Sequence, residues 1–544
     1  MTLSKVRLRP PSPAWWAGIL LAAVVLVGCF YNLANYPTIW WDEGIFSETA
    51  ANLVQHGRYA FTVQSPDQLS DLDFRISVGP AVILPVALAY KIFGVEVASG
   101  RLVAGAFLVL TFLALFLGTR RLFGPAAGLL AVALAFIGTD VLYWGRSVLG
   151  DIPALGLFLC GSCFLLRALD CGAILPLFWG GVFLGLAFDA KEFYGLALLP
   201  PLILVARQSW RDWRRLALRL LAFGGGATLP IAAYVLFKAV ILGDLGAAVL
   251  HFLHQKKLLC HEFFTPFTIG HVYPESFTYL LQHPLFWLGI LGALWAWKKG
   301  NFSPGEKLWV WNFLLWSLVY LTAVYWHRLA LPALFLASPL AAQFLLKGLA
   351  RLTALASPRA PGWLGAGLLA AFFIMIYPTE GLDILGQVLT RQGDAPSKLV
   401  SYLRTHVPVK CLIETPEYEL AFLTDDHRIH LMPSYYFVES TPGRVVLLNP
   451  RQTPYDFERV GADFLILGSF GKSVFRQVYP ASMVARNWRR IARVEYYDIF
   501  ISRKCEKKML KLANRTVVSK RPATAIRPAA KVNAAKTELN SFDH

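Results

Sequence analysis

Two adjacent carboxylates, Asp42 and Glu43, follow two tryptophans, Trp40 and Trp41, just beyond the apolar run Ala14 to Leu33. Acids held that close to a hydrocarbon layer need a reason, and tryptophan suits a membrane–water interface. Asp42 and Glu43 can accept a proton or coordinate a cation. The stretch continues as a short interfacial helix that stops at Gly57, with Arg58-Tyr59 after it. Three further charged positions stand at the ends of apolar runs. Asp151 opens the segment Asp151-Ile152-Pro153, where it reads equally as a helix cap. Lys191 lies in Asp189-Ala190-Lys191-Glu192 and Arg328 in Trp326-His327-Arg328. Each reads either as an anchor for a lipid phosphate or as an interfacial cation whose stem is buried and whose charge reaches water.

The elements that must place these groups are membrane helices. Of 544 residues, 56% are hydrophobic and only 16% charged, against about 25% charged in a soluble chain. Mean hydropathy is +0.50. The formal charge of +18 is not read as a nucleic-acid signal, because much of it lies in short loops between apolar runs, where it sets orientation. The basic N-terminus and its apolar run lack a small-residue cleavage site and read as a first transmembrane helix. Taking about 20 apolar residues per span, candidate spans are 14–34, 96–119, 125–142, 153–168, 174–188, 193–206, 217–241, 284–297, 308–326, 329–346 and 362–378. Residues 79–93, short and carrying Pro80 and Pro85, are read as a re-entrant or interfacial helix.

The expected architecture is therefore a polytopic α-helical membrane protein of about 11 transmembrane helices with a C-terminal extracytoplasmic α/β domain. Residues 1–378 form the membrane part, with a first outer loop at 35–95. Residues 379–504 form the α/β domain, and residues 505–544 a disordered basic tail. Strands are expected at Val409 to Ile413, Val445 to Leu448, Phe464 to Leu467 and Val494 to Ile501, and helices at Pro416 to Leu423 and Pro454 to Val460. Basic loops at Arg120-Arg121, Arg207 to Arg219, Lys298 to Lys307 and Lys347 to Arg359 are expected inside. That puts Asp42, Glu43, Arg75, Asp151, Lys191 and Arg328 at one outer face, a convergence that points to an active site.

With those positions in view, the chain resembles the bacterial branch of the dolichyl-phosphate-mannose–protein mannosyltransferase superfamily, which includes the lipid A aminoarabinose transferases. The residues carrying the resemblance are Trp41-Asp42-Glu43 with Glu48, Ala51 and Gly57; Lys91 to Gly94 with Ser99 to Leu102; Arg121 to Gly124; Tyr143 to Ser147 leading to Asp151; Lys191; and Arg328 to Pro332. They cover about residues 30–345. The resemblance implies the GT-C membrane fold and an inverting glycosyltransferase that uses a polyprenyl-phosphate sugar. It implies Asp42 as the essential acid of the first outer loop, Asp151 as the second, and Lys191 as a lysine near the donor phosphate. Members often carry a Lys- or His-Pro-Pro segment before the short helix after the first loop. This chain has Phe74-Arg75-Ile76-Ser77-Val78-Gly79-Pro80 instead, with Arg75 as the substitute cation.

The candidate catalytic set is Asp42, Glu43 and Asp151; the candidate substrate-binding set is Lys191, Arg328, Arg75 and Tyr59. A lipid phosphate is already an acidic leaving group, so it needs cations and not a general acid, whereas the acceptor hydroxyl needs a base, for which Asp42 is the candidate. No cofactor is expected to be required. Asp71-Leu72-Asp73 spells a metal–nucleotide-sugar pattern, and His251, His254, His261 and His271 share one loop with Glu262, but in both places ordinary loop polarity is favoured over a divalent metal. Expected partners are the polyprenyl-phosphate sugar, membrane lipid, and an acceptor protein, glycan or lipid, with no nucleic acid. The expected location is a bacterial inner (plasma) membrane with the site on the periplasmic or extracellular face. The competing readings are a polyprenyl-linked glycan flippase or transporter, which usually carries charges near the midplane and internal repeats, and a catalytically dead scaffold.

Overall fold

The computed structural model describes residues 13–64, 68–264, 274–298, 300, 302–322, 326–356, 379–424, 426–432, 438–441, 444–447, 455–473, 475–476 and 478–509. The chain is a polytopic helical membrane protein, but the expected count of spans is corrected. Among the described residues four helices are long and apolar enough to cross a membrane: Val97–Phe123, Asp151–Cys171, Trp213–Leu242 and His327–Leu352. A fifth arises only if Ser276–Gln282 and Pro284–Lys298, bent by 70°, are taken as one. The reason is that an apolar run marks burial as much as crossing. Pro125–Gly138 and Ile174–Ala190 have 14 and 17 residues, which rise about 21 and 26 Å, short of the roughly 30 Å of hydrocarbon. The expected span 193–206 divides into a 3₁₀ segment, Glu192–Leu198, and a helix of 11 residues, Leu199–Ser209. The segment 79–93 is a 14-residue helix, Pro80–Phe93. The expected span 362–378 and the tail from 510 lie outside the described residues.

Beyond the helices lies a seven-stranded mixed sheet. Its strands are β1 (Ala60–Gln64), β2 (Gln68–Asp71), β3 (Leu412–Thr415), β4 (Arg428–Leu431), β7 (Phe464–Leu467), β8 (Trp488–Val494) and β9 (Tyr497–Ser502), in the order β2-β1-β4-β3-β7-β9-β8. Strands β5 (Val438–Thr441) and β6 (Arg444–Leu447) pair separately. β3 runs parallel to β4 and β7. All four residues of β7 are buried, as expected of a strand covered on both faces. The expected strand at 494–501 is instead a hairpin of β8 and β9 turning after Val494, and residues 457–460 of the expected helix Pro454 to Val460 form turns.

One edge of this sheet comes from the first loop. β1 and β2 form a hairpin, and β1 joins β4 through Gln64 and His430. The helix Trp41–His56 lies against Glu419–Leu423 so closely that a Cβ at Gly44 would stand 2.5 Å from the Glu419 Cα. The Trp41 ring stacks between Tyr418 (4.8 Å) and Phe470 (5.2 Å), and its Nε1 donates to the Pro416 carbonyl at 3.1 Å. Trp41 therefore joins the first loop to the α/β region and does not serve as a free interfacial anchor.

The junction carries a pH dependence. Glu48 is buried and accepts from Thr62 Oγ1 and Asn52 Nδ2, and burial raises its carboxyl from 4.5 to about 7. Burial, with Glu417 close by, also raises Glu419. A carboxyl raised in the folded state keeps its proton after the unfolded chain has lost it. Stability contributed by Glu48 is therefore present below about pH 4.5 and is lost as pH rises towards about 7. Thermal melting of the purified protein is expected to show a lower midpoint at about pH 8 than at about pH 5, and Glu48→Gln is expected to flatten the difference. A midpoint that rises over that range, equally in both proteins, would refute this.

Candidate active site

The charged candidates other than Arg75 are placed by the ends of helices. Asp42 and Glu43 stand in the first turn of Trp41–His56, where the helix dipole favours carboxylates, and successive positions send their side chains different ways. Glu43 points inward and is fully buried. Its Oε1 and Oε2 accept from Arg101 Nε and Nη2, both at 2.7 Å, and Oε1 also accepts from the Val148 backbone at 3.1 Å. Arg101 Nη1 donates to the Leu33 carbonyl at 2.9 Å. One bidentate pair thus ties together the end of the first apolar run, the helix Trp41–His56, the helix Val97–Phe123 and the loop leading to Asp151.

Asp42 points the other way, with its side chain 18% exposed, and its Oδ2 accepts from Arg328 Nη2 at 2.8 Å. Arg328 Nη1 lies 3.8 Å from Asp151 Oδ2. Three charges from positions 42, 151 and 328 therefore meet. The Arg328 guanidinium is boxed by Trp326 (4.8 Å), Trp40 (5.1 Å) and Trp144 (5.6 Å), rings that hold a cation through their faces. Asp151 is not a cap. Gly150 occupies the cap position, and among the described residues neither Asp151 oxygen accepts a hydrogen bond.

Lys191 follows the helix Ile174–Ala190 and is buried, 3% exposed. A lysine whose charge reaches water would be more open. A Cβ at Gly150 would lie 2.4 Å from the Ala190 carbonyl, so the residues just before Asp151 and Lys191 touch. Glycine is needed there for close approach of two backbones.

Arg75 and Tyr59 are placed elsewhere. Arg75 donates to both oxygens of Asp73 (2.8 and 2.9 Å), to the Met432 carbonyl (2.9 Å) and to the Tyr418 hydroxyl (3.3 Å), and covers the Phe61 ring at 4.2 Å. It clamps the first loop to the α/β region. Tyr59 is buried; its hydroxyl donates to the Val78 carbonyl at 3.1 Å and its ring meets Phe237. The two carboxylates of the Asp71-Leu72-Asp73 pattern go to different arginines, Asp71 to Arg58 at 2.6 Å and Asp73 to Arg75. Among the described residues no group of three or more His, Cys, Asp and Glu side chains is arranged to hold a metal ion. His251 and His254 both contact the Phe74 ring beside an open cleft of about 500 Å³. His271 and the side chains of His261 and Glu262 lie outside the described residues. Glu414 is buried and accepts from Tyr455 and Tyr479 at 2.7 Å, with His430 Nδ1 at 2.6 Å.

Arg101 and Arg146 lie in segments that carry the family resemblance, but the sequence alone assigns them no role. Arg146 is fully buried and donates to the backbone carbonyls of Tyr36, Tyr31 and Gly28. Their signal was available, since a charge adjoining an apolar run that faces the protein interior is costly unless paired. The tryptophan box had no such signal, because Trp40, Trp144 and Trp326 are far apart in the chain.

Comparison with known proteins bears on this arrangement. Residues 77–238 match the family model described as dolichyl-phosphate-mannose-protein mannosyltransferase. The matched segment includes Arg101, Asp151 and Lys191 but neither Asp42 nor Arg328. No curated protein matches the chain significantly in sequence. Two solved structures are similar in fold. ArnT from Cupriavidus metallidurans bound to undecaprenyl phosphate superposes with a TM-score of 0.61 at 16% identity, over 90% of this chain and 98% of that one. The oligosaccharyltransferase AglB from Archaeoglobus fulgidus, in complex with an inhibitory peptide and a dolichol-phosphate, gives 0.55 at 14% identity, over 85% of this chain and 70% of that one. The fold is the GT-C fold of these membrane enzymes.

Proposed function

We propose that the chain is a glycosyltransferase that moves a sugar from a polyprenyl-phosphate donor to an acceptor hydroxyl, with inversion at the anomeric carbon, on the outer side of the membrane. The observation that carries the reading is the meeting of Asp42 and Asp151 on one boxed arginine, Arg328, in a fold shared with two proteins solved with polyprenyl phosphates. Arg328 lies against Asp151, and Lys191 follows Ala190, whose carbonyl packs on Gly150 just before Asp151; both are cations and suit a phosphate that gains charge as its bond to the sugar breaks. A bound phosphate competes with Asp42 for Arg328. The Asp42 carboxylate is then released to take the acceptor proton as the hydroxyl oxygen attacks the anomeric carbon. The bond from that carbon to the phosphate oxygen breaks, and the pair of electrons leaves with the lipid phosphate. Asp151 holds the other side of Arg328. Glu43 acts as a positioning residue, and Arg75 and Tyr59 belong to the scaffold. The basic loops between apolar runs support the outer placement, and the seven-stranded sheet supports a separate α/β part after the membrane helices.

The test is a purified full-length preparation in nanodiscs with a labelled lipid-phosphate sugar. Lys191→Met is expected to weaken donor binding and to lower turnover at saturating donor, with Lys191→Arg rescuing only in part, because a planar guanidinium does not replace a compact ammonium at a fitted position. Unchanged donor affinity and unchanged saturated rate in Lys191→Met would remove Lys191 from the site. Movement of intact lipid-linked sugar across the bilayer without bond cleavage would replace the transferase reading by the flippase one.

A further inference from the structure

We propose a second ligand site, for a phosphate-bearing anion and specifically the headgroup of an anionic lipid, at the end of the helix bundle opposite Asp42. Helix Asp151–Cys171 carries Asp151 at its start and Cys171 at its end; its 21 residues separate the two ends by about 30 Å. At the Cys171 end lies an open cleft of about 290 Å³ whose lining includes Asp170, Gly172, Gln208, Arg215 and Arg219. Most of its lining is polar.

The cleft is built around an arginine that has no acidic partner among the described residues. Arg219 is 2% exposed, although a guanidinium cannot shed its charge. Its Nη1 donates to Ser209 Oγ at 2.9 Å and its Nη2 to Gln208 Oε1 at 3.1 Å, both neutral acceptors. Its Nε is buried and meets no acceptor among the described residues. One turn earlier on the same helix, exposed Arg215 lines the same cleft, its Nη2 3.0 Å from where a Gly172 Cβ would stand. Neither arginine forms an ion pair among the described residues. The one carboxylate in the lining, Asp170, is held by Arg121 at 2.8 Å, and nearby Asp212 caps its helix by accepting from the Arg215 backbone at 3.1 Å. Two like charges side by side, one of them buried with a spare donor, leave a deficit of negative charge that a phosphate oxyanion fills through charge-assisted hydrogen bonds.

The surroundings select a lipid as the source. Trp210 and Trp213 are 69% and 71% exposed beside the cleft, and Leu221 on the helix bearing Arg219 is 72% exposed. Exposed tryptophans next to arginines and an apolar helix face mark the headgroup level of a bilayer. A headgroup can enter the cleft while its acyl chains stay on that face.

The experiment adds phosphatidylglycerol to the delipidated full-length protein in detergent and measures retained lipid by native mass spectrometry. Phosphatidylcholine is the control and inorganic phosphate the competitor. The wild type is expected to retain phosphatidylglycerol over phosphatidylcholine. Arg219→Gln and Arg215→Gln are each expected to cut that retention about fivefold. Arg215 is exposed, so its substitution leaves the fold intact, and the Arg215→Gln result decides if Arg219→Gln fails to fold. Binding of inorganic phosphate without any preference for phosphatidylglycerol would keep the phosphate site and identify a free anion as its ligand; preferential retention of phosphatidylglycerol that falls in Arg215→Gln identifies the lipid. Undiminished retention in Arg215→Gln, or no preference over phosphatidylcholine in the wild type without binding of inorganic phosphate, overturns the proposal.

Discussion

Asp42→Asn is expected to reduce sugar transfer by about a hundred- to ten-thousand-fold, the usual loss when a general base is removed, while the protein still folds and still binds donor. The separation of effects follows from the geometry. Asp42 is part-exposed, and its contact to Arg328 runs through one oxygen at 2.8 Å. An asparagine carbonyl can accept that same hydrogen bond, so the guanidinium keeps a partner and remains between Trp40, Trp144 and Trp326. What the amide lacks is the capacity to take a proton from a hydroxyl. The measurement is single-turnover transfer from a labelled lipid-phosphate sugar, with donor binding titrated separately. Near-normal turnover in Asp42→Asn would end the assignment of Asp42 as base and shift attention to Asp151, whose Oδ2 lies 3.8 Å from the same arginine.

Glu43→Gln, one residue away, is expected to fail differently, by loss of folded protein. Removing one partner of a buried ion pair costs about 3–5 kcal/mol because the other charge is left buried. Here that charge is Arg101, fully buried between Glu43 and the Leu33 carbonyl. The substitution also weakens the acceptor for the Val148 N–H, which anchors the loop leading to Asp151. Yield of monodisperse protein and its melting temperature should both fall. The double variant Glu43→Gln/Arg101→Met, which removes the stranded cation as well, should recover part of the loss. A Glu43→Gln protein that melts like the wild type but does not turn over would overturn the positioning role and return Glu43 to chemistry.

The contrast between these neighbours shows where sequence reading ended. Adjacent acids at the mouth of a membrane helix looked like one feature, because nothing in Trp40-Trp41-Asp42-Glu43 says which acid turns inward. Their partners, Arg328 and Arg101, lie 286 and 58 residues away. Arg75 reads as a substitute phosphate cation for a different reason: its partner Asp73 sits only two residues away but belongs to a metal-like Asp-x-Asp pattern in the sequence. The count of spans failed on different grounds. Apolar composition reports transfer out of water, and a 14-residue helix packed inside a bundle meets that requirement as well as a crossing helix does.

By itself the sequence determined that this is a membrane protein with an α/β part, that Asp42, Asp151, Lys191 and Arg328 stand at helix ends, and that the chain resembles lipid-phosphate glycosyltransferases. Those are local properties, set by hydropathy over a window and by residue types beside it. Only the tertiary structure decided that Asp42 and Asp151 share Arg328, that Glu43 is locked to Arg101, and that the first loop supplies two strands to a sheet completed more than 300 residues later. Those facts rest on pairings between distant segments. Burying those charges and strand edges is tolerated only because each is paired, and no local window contains the identity of the partner.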